Sequence, residues 1–304
     1  MFDLIRVATR HDLPLLHDLL NVRSQQQLQF GKEDLDAFLE KGGVFVGLDQ
    51  GRMTGALVVD MEARPPTLPP AAPDRLFVRG LVARHGISPS VALRDLLTPL
   101  QENPAAHPRL LIAHGGYSWY NRSLTFADFT LAERVRFLEL ENVAQRLRKL
   151  DSATALVALR PGGFADLDAL AVLDAAAFPP IWHFAATALR PLLLQGVLRT
   201  AWYDDELVGY WLMTFNGALA HVARLAVHPR WQGRGIGRQL MLDALQAVVA
   251  ADCRCVVLNT QTDNQPSQRL YRSLGFRPTG EEFAVYTKLL PRLSEVEQKS
   301  QAGV

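Results

Sequence analysis

The chain has 304 residues, about twice the length of a typical domain, so its length favours two domains. Apolar residues make up 48% and charged residues 21%, as in soluble globular proteins, and the net charge of +1 is spread evenly over both halves. This even charge balance argues against nucleic acid or an anionic membrane as the main partner, and no apolar stretch is long enough to span a membrane.

The first half of the chain begins with a short strand, a polar turn and an amphipathic helix, Leu4–Leu20. A hairpin with a DQGR tip follows at residues 44–59. The proline-rich segment Ala63–Pro73 is predicted to be a stiff surface loop. A strand, a turn and a helix are predicted around Leu81–Leu97, and a helix and a strand within Trp119–Leu140.

The second half repeats this order of elements. Ala155–Asp174 again predicts a strand, a turn and a helix, with Arg160 at the place of Arg10. A second hairpin follows at residues 199–215, and its Gly209 corresponds to Gly55 of the first hairpin. The first half contains SLTF (residues 123–126) near its end, and the second half contains SLGF (residues 273–276). Aligning these two motifs matches Phe126 with Phe276. The sequence therefore predicts two copies of one unit, with domains at 1–150 and 151–292 and a polar tail at 293–304.

The most informative segment, Arg224–Leu240, lies in the second half and reads RLAVHPRWQGRGIGRQL. A β-like run ends at Pro229, and QGRGIG then leads directly into a helix. Three glycines at every second position let backbone N–H groups turn inward at the positive end of the helix dipole. The pattern predicts a pyrophosphate cradle formed by Gln232, Gly233, Arg234, Gly235, Ile236, Gly237 and Arg238.

Two common phosphate-binding motifs do not match this segment. A Rossmann fingerprint requires GxGxxG, but Leu240 stands where the third glycine belongs, and the GK[ST] of a P-loop is absent. The remaining pattern, [RQ]xxGx[GA] after a strand ending in LAVHP, resembles the acetyl-CoA-binding motif of the GNAT superfamily of N-acetyltransferases. Downstream, Leu258–Phe276 (LNTQTDNQPSQRLYRSLGF) resembles the second signature of that family.

The resemblance implies an α/β (α+β) fold of two tandem GNAT-like domains, each a twisted, mainly antiparallel mixed sheet flanked by helices. It also implies acetyl-CoA as the cofactor of the second copy. In the first copy, LVARHGISPSVALRDLL (Leu81–Leu97) stands at the position of QGRGIG, only one glycine survives, and Pro89 lacks an N–H donor. Val91 and Ala92 place side chains where phosphates would lie. We expect a degenerate N-terminal copy, although a second working site with an altered motif is the alternative.

Several site residues follow from the resemblance. Backbone N–H groups of Leu225, Ala226 and Val227 would donate to the pantetheine arm or to the acetyl carbonyl, where they would stabilise an oxyanion. The Asn264 side chain would bind the pantetheine arm. Tyr271 would stand near the sulfur and protonate it as the thiol leaves, or it would only shape the pocket.

The general base is harder to assign. Strict alternation places His221 on the strand face of Ala223, Leu225 and Val227, and its position resembles the first histidine of HxHALAV in arylalkylamine N-acetyltransferases. A histidine pKa near 6.5 suits a base at neutral pH, but a lone histidine on an apolar strand is often structural. Asn259 stands where many relatives that acetylate protein N-termini have glutamate, and an amide cannot take a proton.

The acceptor side is predicted at Ala175–Leu189, AAAFPPIWHFAATAL. FPPIW resembles a region of ribosomal-protein alanine acetyltransferases, whereas the tandem layout resembles mycothiol synthase, whose acceptor is a sugar-linked cysteine amine. Two alternatives remain for the residues Phe178, Trp182, His183 and Phe184. They would form an aromatic wall of the acceptor site, or they would form the core of an amphipathic helix.

The predicted function is acetyl-CoA-dependent transfer to a primary amine in a ternary complex, with a non-catalytic acyl-CoA-binding or sensing module as the alternative. The acceptor would be a small-molecule amine or a peptide N-terminus, and the protein a monomer or homodimer. Residues 1–14 show no signal peptide, so a cytoplasmic location is expected. Cys253 and Cys255 are expected to be reduced, and no His/Asp cluster accompanies them, so no metal site is expected.

Overall fold

A computed structural model describes residues 2–22, 24–62, 72–103, 105, 107–151 and 156–290. The predicted polar tail at 293–304 and most of the loop predicted at Ala63–Pro73 lie outside the described residues. No helix in the described part of the chain combines the length and the apolar character needed to cross a membrane.

The chain divides into two compact units, Met1–Glu133 with Phe283–Val304, and Arg134–Glu282. Each unit therefore includes a segment of the other sequence repeat, since residues 134–150 pack in the second unit and residues 283–290 pack in the first. The predicted domain boundaries at 150 and 292 refer to the sequence repeat rather than to these compact units, and they stay a prediction.

The first unit contains the following strands and helices in chain order. They are β1 (Leu4–Val7), α1 (Leu13–Asn21), β2 (Ser24–Leu28), α2 (Leu35–Glu40), β3 (Val44–Asp49), β4 (Arg52–Met61), β5 (Asp74–Arg84), α3 (Pro89–Leu96), α4 (Thr98–Glu102), β6 (Arg109–His114) and α5 (Ser118–Phe126). Next, β7 (Thr130–Glu141) runs from the first unit into the second.

The second unit has a similar order, without a counterpart of β2 among its described residues. It holds α6 (Val143–Leu147), β8 (Ala158–Pro161), α7 (Leu167–Ala177), α8 (Ala186–Leu194), β9 (Gly196–Tyr203), β10 (Glu206–Asn216), β11 (Leu219–Val227), α9 (Ile236–Ala250), β12 (Cys255–Gln261) and α10 (Gln265–Leu274). The last strand, β13 (Arg277–Leu290), begins in the second unit and ends in the first.

Each unit is built on one mixed sheet. In the first unit the strand order is β1-β3-β4-β5-β6-β13, with β2 also paired to β5, and in the second it is β7-β12-β11-β10-β9-β8. The β5/β6 and β11/β12 pairs are parallel, and the other registered pairs are antiparallel. The predicted fold class, a mainly antiparallel mixed sheet flanked by helices, is confirmed.

In the second unit, helices cover both faces of the sheet because each helix has a buried apolar stripe. Leu240, Leu245 and Val248 of α9 belong to the core on one face, together with Trp211 and Val222. On the other face α7 and α8 contribute to a separate core, which includes Leu170, Leu189 and Tyr210.

At the start of the repeat, the structure aligns the two copies differently from the sequence comparison. Arg6 occupies the third position of β1, and Arg160 occupies the third position of β8. After each strand a backbone N–H, of Thr9 or of Gly163, donates to an aspartate three residues later. The predicted match of Arg10 with Arg160 is therefore wrong, and Arg6 is the counterpart.

The end of the repeat is also shifted. Phe129 N–H donates to the carbonyl of Leu124, and Phe276 N–H donates to the carbonyl of Tyr271 in the same way, both at 3.0 Å. Phe129 therefore matches Phe276, and the predicted match of Phe126 with Phe276 is wrong. Leu124 consequently occupies in α5 the place that Tyr271 occupies in α10.

Candidate active site

A cleft opens in the second unit where β11 and β12 part. The two strands pair in parallel from Leu219 with Cys255 to His221 with Val257, and the described pairing ends there. Residues 222–227 and 258–261 then face the gap with unpaired strand edges, and α10 closes its end. The cleft is lined by Val135, Phe178, Trp182, Val222, Ala223, Arg224, Leu225, Leu258, Asn259, Thr260, Gln261, Asn264, Ser267 and Tyr271.

A bulge in β11 sets the direction of the side chains along this cleft. Met213 of β10 pairs with Val222, and Leu212 pairs with Arg224. Ala223 is therefore an extra residue without a partner on β10. Such a bulge bends the strand and re-aims the residues that follow.

Because of this bulge, His221 and the residues after it lie on different faces. Val222 belongs to the core that contains α9, and Leu225 and Val227 pack against the same core. His221, directly before Val222, therefore points to the face of α7 and α8. The prediction that His221 shares a face with Leu225 and Val227 is wrong, because alternation restarts after Ala223.

The predicted glycine cradle lies at the start of α9. Gly233 and Gly235 have φ values of +75° and +91°, which side chains other than glycine rarely adopt. Gly235 is the N-cap of α9, and its carbonyl accepts from Arg238 and Gln239 N–H groups. The N–H groups of residues 233–237 form no hydrogen bond with another described residue.

The space around Gly237 indicates whether this turn can accommodate a pyrophosphate. A Cβ at Gly237 would lie 3.4 Å from Leu270 Cδ2 and 4.0 Å from Val227 Cγ2, which are ordinary contacts. Glycine inside a helix costs about 1 kcal/mol relative to alanine, and no neighbour here requires it. The missing side chain instead leaves the backbone open to a phosphate at a helix N-terminus.

The other predicted cradle residues surround this turn. Gln232 Nε2 donates to the Val227 carbonyl at 3.0 Å and ties the turn to β11. The Arg234 guanidinium lies 4.6 Å from the Trp231 ring centroid, at the surface. Arg238 Nη2 reaches the Asp151 carbonyl at 3.4 Å. The Ile236 side chain is buried and fixes the first turn of α9 to the core.

The second signature lies at the other side of the cleft. Asn264 is the N-cap of α10, and its Oδ1 accepts from Ser267 N–H at 3.2 Å. Its Nδ2 lies 3.4 Å from Gln261 Oε1, and Asn264 lines the cleft. The predicted bond from its side chain to a pantetheine arm stays a prediction.

Tyr271 lies on the buried side of α10 and also lines the cleft. Burial raises the pKa of the Tyr271 hydroxyl to about 12, although the nearby positive charge of Arg224 acts in the opposite direction. The hydroxyl is therefore protonated at neutral pH and can donate a hydrogen bond or a proton into the cleft.

Sequence reasoning missed a buried ion pair between Asp174 and Arg224, of which Arg224 lines the cleft. Asp174 of α7 is fully buried, and its carboxylate accepts from Arg224 Nε at 2.7 Å and from Arg224 Nη2 at 2.6 Å. The Tyr210 hydroxyl and the Phe184 N–H each donate to Asp174 at 2.5 Å. All of the acceptor positions of the carboxylate are thus used, so Asp174 has a structural role.

Two signals in the sequence could have revealed this pair. Arg224 interrupts an apolar strand, and Asp174 interrupts the apolar helix LDALAVLDAAA. A charge on a buried face requires a partner, so each residue predicts the other.

The four residues predicted to line the acceptor side do not all lie at the cleft. Phe178 and Trp182 line the cleft. Phe178 and Phe184 lie over the Arg224 guanidinium, with ring centroids 3.5 and 4.2 Å from its central carbon. Phe184 also packs against the core of α7 and α8, and His183 is buried. Two of the four residues therefore reach the cleft, and their contact with an acceptor stays a prediction.

His221 is the third residue of β11, opposite Thr214 of β10. Burial lowers the pKa of the His221 imidazole below its usual 6.5. Burial therefore favours the neutral form of the imidazole, which lies on the α7/α8 face of the sheet.

The first unit has the same bulge but no equivalent gap. Val58 pairs with Gly80 and Val59 pairs with Val78, so Arg79 is the extra residue. The β5/β6 pairing ends at Val78. Beyond that point β2 takes the free edge of β5, with Ser24–Leu28 antiparallel to residues 80–84. A strand of the same chain thus occupies the position that is open in the second unit.

Other positions of the first unit lack the same functional groups. The helix α3 begins at Pro89, which has no N–H. Tyr117 is the N-cap of α5, where Asn264 caps α10, and Leu124 replaces Tyr271.

Comparisons with known proteins agree with this description. A model of the acetyltransferase (GNAT) family matches residues 167–276. Mycothiol acetyltransferase of Kineococcus radiotolerans is 30% identical over 190 residues, 60% of this chain and 62% of that protein. A putative [ribosomal protein bS18]-alanine N-acetyltransferase of Bacillus subtilis is 29% identical over 87 residues, 28% of this chain and 56% of that protein.

A solved tandem GNAT protein from the clavulanic acid biosynthesis pathway has 16% identity and a TM-score of 0.57, covering 95% of this chain and 98% of that one. It therefore supports the tandem fold alone. The chain spans about half the length of the curated relatives that it matches. The family match over residues 167–276, the splayed strands and the glycine turn agree, so this region matches the GNAT acetyltransferase family, and the chain has a tandem GNAT fold.

Proposed function

We propose that the second unit binds acetyl-CoA between β11 and β12 and transfers the acetyl group to a primary amine by direct attack in a ternary complex. The observation that carries this proposal is the open glycine turn beside the unpaired strand edges. Gly237 leaves space at a helix N-terminus for a phosphate, and Val227, the last residue of β11 along the gap, lies beside it. One relative is named as an acetyltransferase of a small molecule, mycothiol, and the other as an N-acetyltransferase of an alanine of a ribosomal protein, which supports a small-molecule amine or a peptide N-terminus as acceptor.

The chain supplies groups for each part of such a transfer. The N–H groups at Gly235–Gly237 would bind the pyrophosphate, and those of Leu225–Val227 would donate along the arm and to the developing oxyanion. Acetyl-CoA supplies the acetyl group as a thioester, and the amine nitrogen forms the new bond as the carbon–sulfur bond breaks. Tyr271 would give its proton to the departing sulfur.

For the amine proton we propose His221, which lies on the face of α7 and α8 where the acceptor residues are predicted. No carboxylate is among the described residues that line the cleft, and Asn259 stands at its edge. An α-amine has a pKa near 8, so its deprotonation at pH 7 costs only about 1.4 kcal/mol. A base of modest strength is therefore sufficient for such an acceptor.

The absence of a carboxylate from the described cleft lining also favours a second candidate, a non-catalytic acyl-CoA-binding or sensing module. The two candidates share the cofactor and differ in turnover. We expect calorimetric titration of acetyl-CoA to show one site per chain, because β2 occupies the equivalent position of the first unit.

That titration is combined with release of free thiol in the presence of a panel of primary amines. Binding with turnover supports the enzyme, binding without turnover on any amine supports the sensing module, and the absence of binding contradicts both. Tyr271→Phe separates binding from chemistry: it should keep the affinity for acetyl-CoA and lower kcat about 10-fold or more.

The role of His221 predicts a dependence on pH. The base must be neutral, and burial lowers the pKa of the imidazole below 6.5, so kcat should be constant near neutrality and fall as the pH drops through that lowered pKa. In His221→Gln the acid limb should disappear and kcat should be about 10-fold to 100-fold lower. Measurement of kcat from pH 5 to 8 at saturating acceptor tests this, and an unchanged limb in the variant would assign the base elsewhere.

A further inference from the structure

The guanidinium of Arg224 is only partly used by the protein. Its Nε hydrogen and one Nη2 hydrogen go to Asp174, and Nη2 also donates to the Trp182 carbonyl at 2.7 Å. The three hydrogens on these two nitrogens are therefore all engaged. The remaining nitrogen, Nη1, has two further hydrogens, and no hydrogen bond joins it to another described residue.

The surroundings of Arg224 restrict what those two hydrogens can meet. Phe178 and Phe184 lie 3.5 and 4.2 Å from the central carbon and cover the guanidinium. The side chain is 9% exposed, and Arg224 lines the cleft. Tyr271, which is predicted to stand near the sulfur, lines the same cleft.

The buried charges decide what kind of acceptor oxygen fits. Asp174 already balances the charge of Arg224, so the pair is neutral as a whole. A carboxylate bound at Nη1 would leave one net negative charge in a site that excludes most water, which is costly. A neutral carbonyl oxygen accepts the same two hydrogens without adding charge.

We propose that Arg224 Nη1 binds a neutral carbonyl oxygen of the acceptor, and that the acceptor is an α-amino amide, in which the reacting amine and an amide carbonyl are neighbours. This assignment rests on the proposed acetyl transfer and narrows its substrate class. Both a peptide N-terminus and a small aminoacyl amide contain this group. A simple alkylamine lacks the carbonyl, and a free amino acid replaces it with a carboxylate.

The first test measures binding without turnover. L-Alaninamide, L-alanine and isopropylamine are titrated into the protein saturated with CoA. Alaninamide should bind at least 10-fold more tightly than either of the others, when each is compared per concentration of unprotonated amine. Equal affinities would overturn the proposal, even if the protein has no acetyltransferase activity.

The second test uses substitutions. Arg224→Lys keeps a positive charge for Asp174 but removes Nη1, and should reduce the preference for alaninamide over isopropylamine about 10-fold or more. The matched control is Arg199→Lys, because Arg199 lies near Asp243 at 3.8 Å and outside the described lining of the cleft. This control should keep the preference.

If Arg224→Lys does not fold, the double variant Asp174→Leu with Arg224→Met removes the pair without leaving a buried charge. A preference that survives in either Arg224 variant contradicts the assignment. Comparison with the tripeptide Ala-Ala-Ala then separates the two sources of the amide. Tighter binding of the tripeptide than of alaninamide identifies a peptide N-terminus, and equal binding identifies a small aminoacyl amide.

Where acetyl-CoA binds but no amine is acetylated, the proposed function fails, and the binding series still decides the role of Arg224. Where amines are acetylated without a carbonyl preference, the proposed function stands and the assignment to Arg224 fails.

Discussion

Gly237→Glu is expected to abolish measurable acetyl-CoA binding, with at least a 100-fold loss of affinity. The substitution places a carboxylate beside the N–H groups that would hold the pyrophosphate, so it both fills the space and repels the phosphates. A 100-fold loss corresponds to about 2.7 kcal/mol. The measurement is calorimetric titration with acetyl-CoA.

The same substitution should leave the fold intact. A Cβ at Gly237 makes only ordinary contacts, glutamate is a better helix former than glycine, and a negative charge near a helix N-terminus is favourable. We therefore expect an unchanged or slightly higher Tm together with lost binding. Gly237→Gln is the matched control for charge, and it should retain more affinity than Gly237→Glu. Unchanged affinity in Gly237→Glu would remove the glycine turn from the cofactor site.

Asp174→Asn should lower the free energy of unfolding of the second unit by about 3–5 kcal/mol. The substitution preserves the shape of the side chain but leaves the Arg224 guanidinium buried and without a counter-charge. It also replaces a charged acceptor of the Tyr210 hydroxyl by a neutral amide. Urea unfolding, followed by fluorescence, measures this loss.

Two variants show that the loss comes from the unpaired buried charge. Glu282→Gln removes one partner of the half-exposed Arg136–Glu282 pair and should cost less than about 1 kcal/mol. The double variant Asp174→Leu with Arg224→Met should recover most of the stability, because hydrophobic side chains of similar size replace a buried ion pair at little cost. A small effect of Asp174→Asn alone would mean that water reaches the Arg224 guanidinium.

The glycine turn was predictable because its function requires a particular backbone, and glycine spacing records that backbone directly. Gly233 and Gly235 have positive φ values, as such a turn requires, and Gly237 lies where a side chain would obstruct a phosphate. The strand before the turn and the helix after it were predictable from their apolar periodicity.

The face of His221 was not predictable in the same way. Alternation along a strand assumes one residue per step, and Ala223 breaks that assumption without any glycine or proline to mark the bulge. The Arg224–Asp174 pair carried a signal, namely a charge within each of two apolar segments, but the signal identifies a buried pair only when both segments are considered together.

The strand β2 shows a different limit. Its sequence, SQQQL, has neither an apolar alternation nor β-branched residues, so no periodicity predicts a strand there. It is held by backbone pairing to β5, which depends on where β5 and β6 part rather than on its own side chains. The shifted match at Phe129 has a similar origin, since a change in loop length moves a register without altering composition.

The last strand has a consequence for how the chain acquires its structure during synthesis. Residues 285–290 of β13 pair with β6 in the first unit, although they leave the ribosome long after β6. Until they emerge, the outer edge of β6 lacks these hydrogen bonds, and the sheet of the first unit is incomplete. Contacts between such distant parts of a chain are slow to form, and unpaired edges favour aggregation. The first unit to be synthesised therefore completes its sheet only after residues 285–290 have emerged.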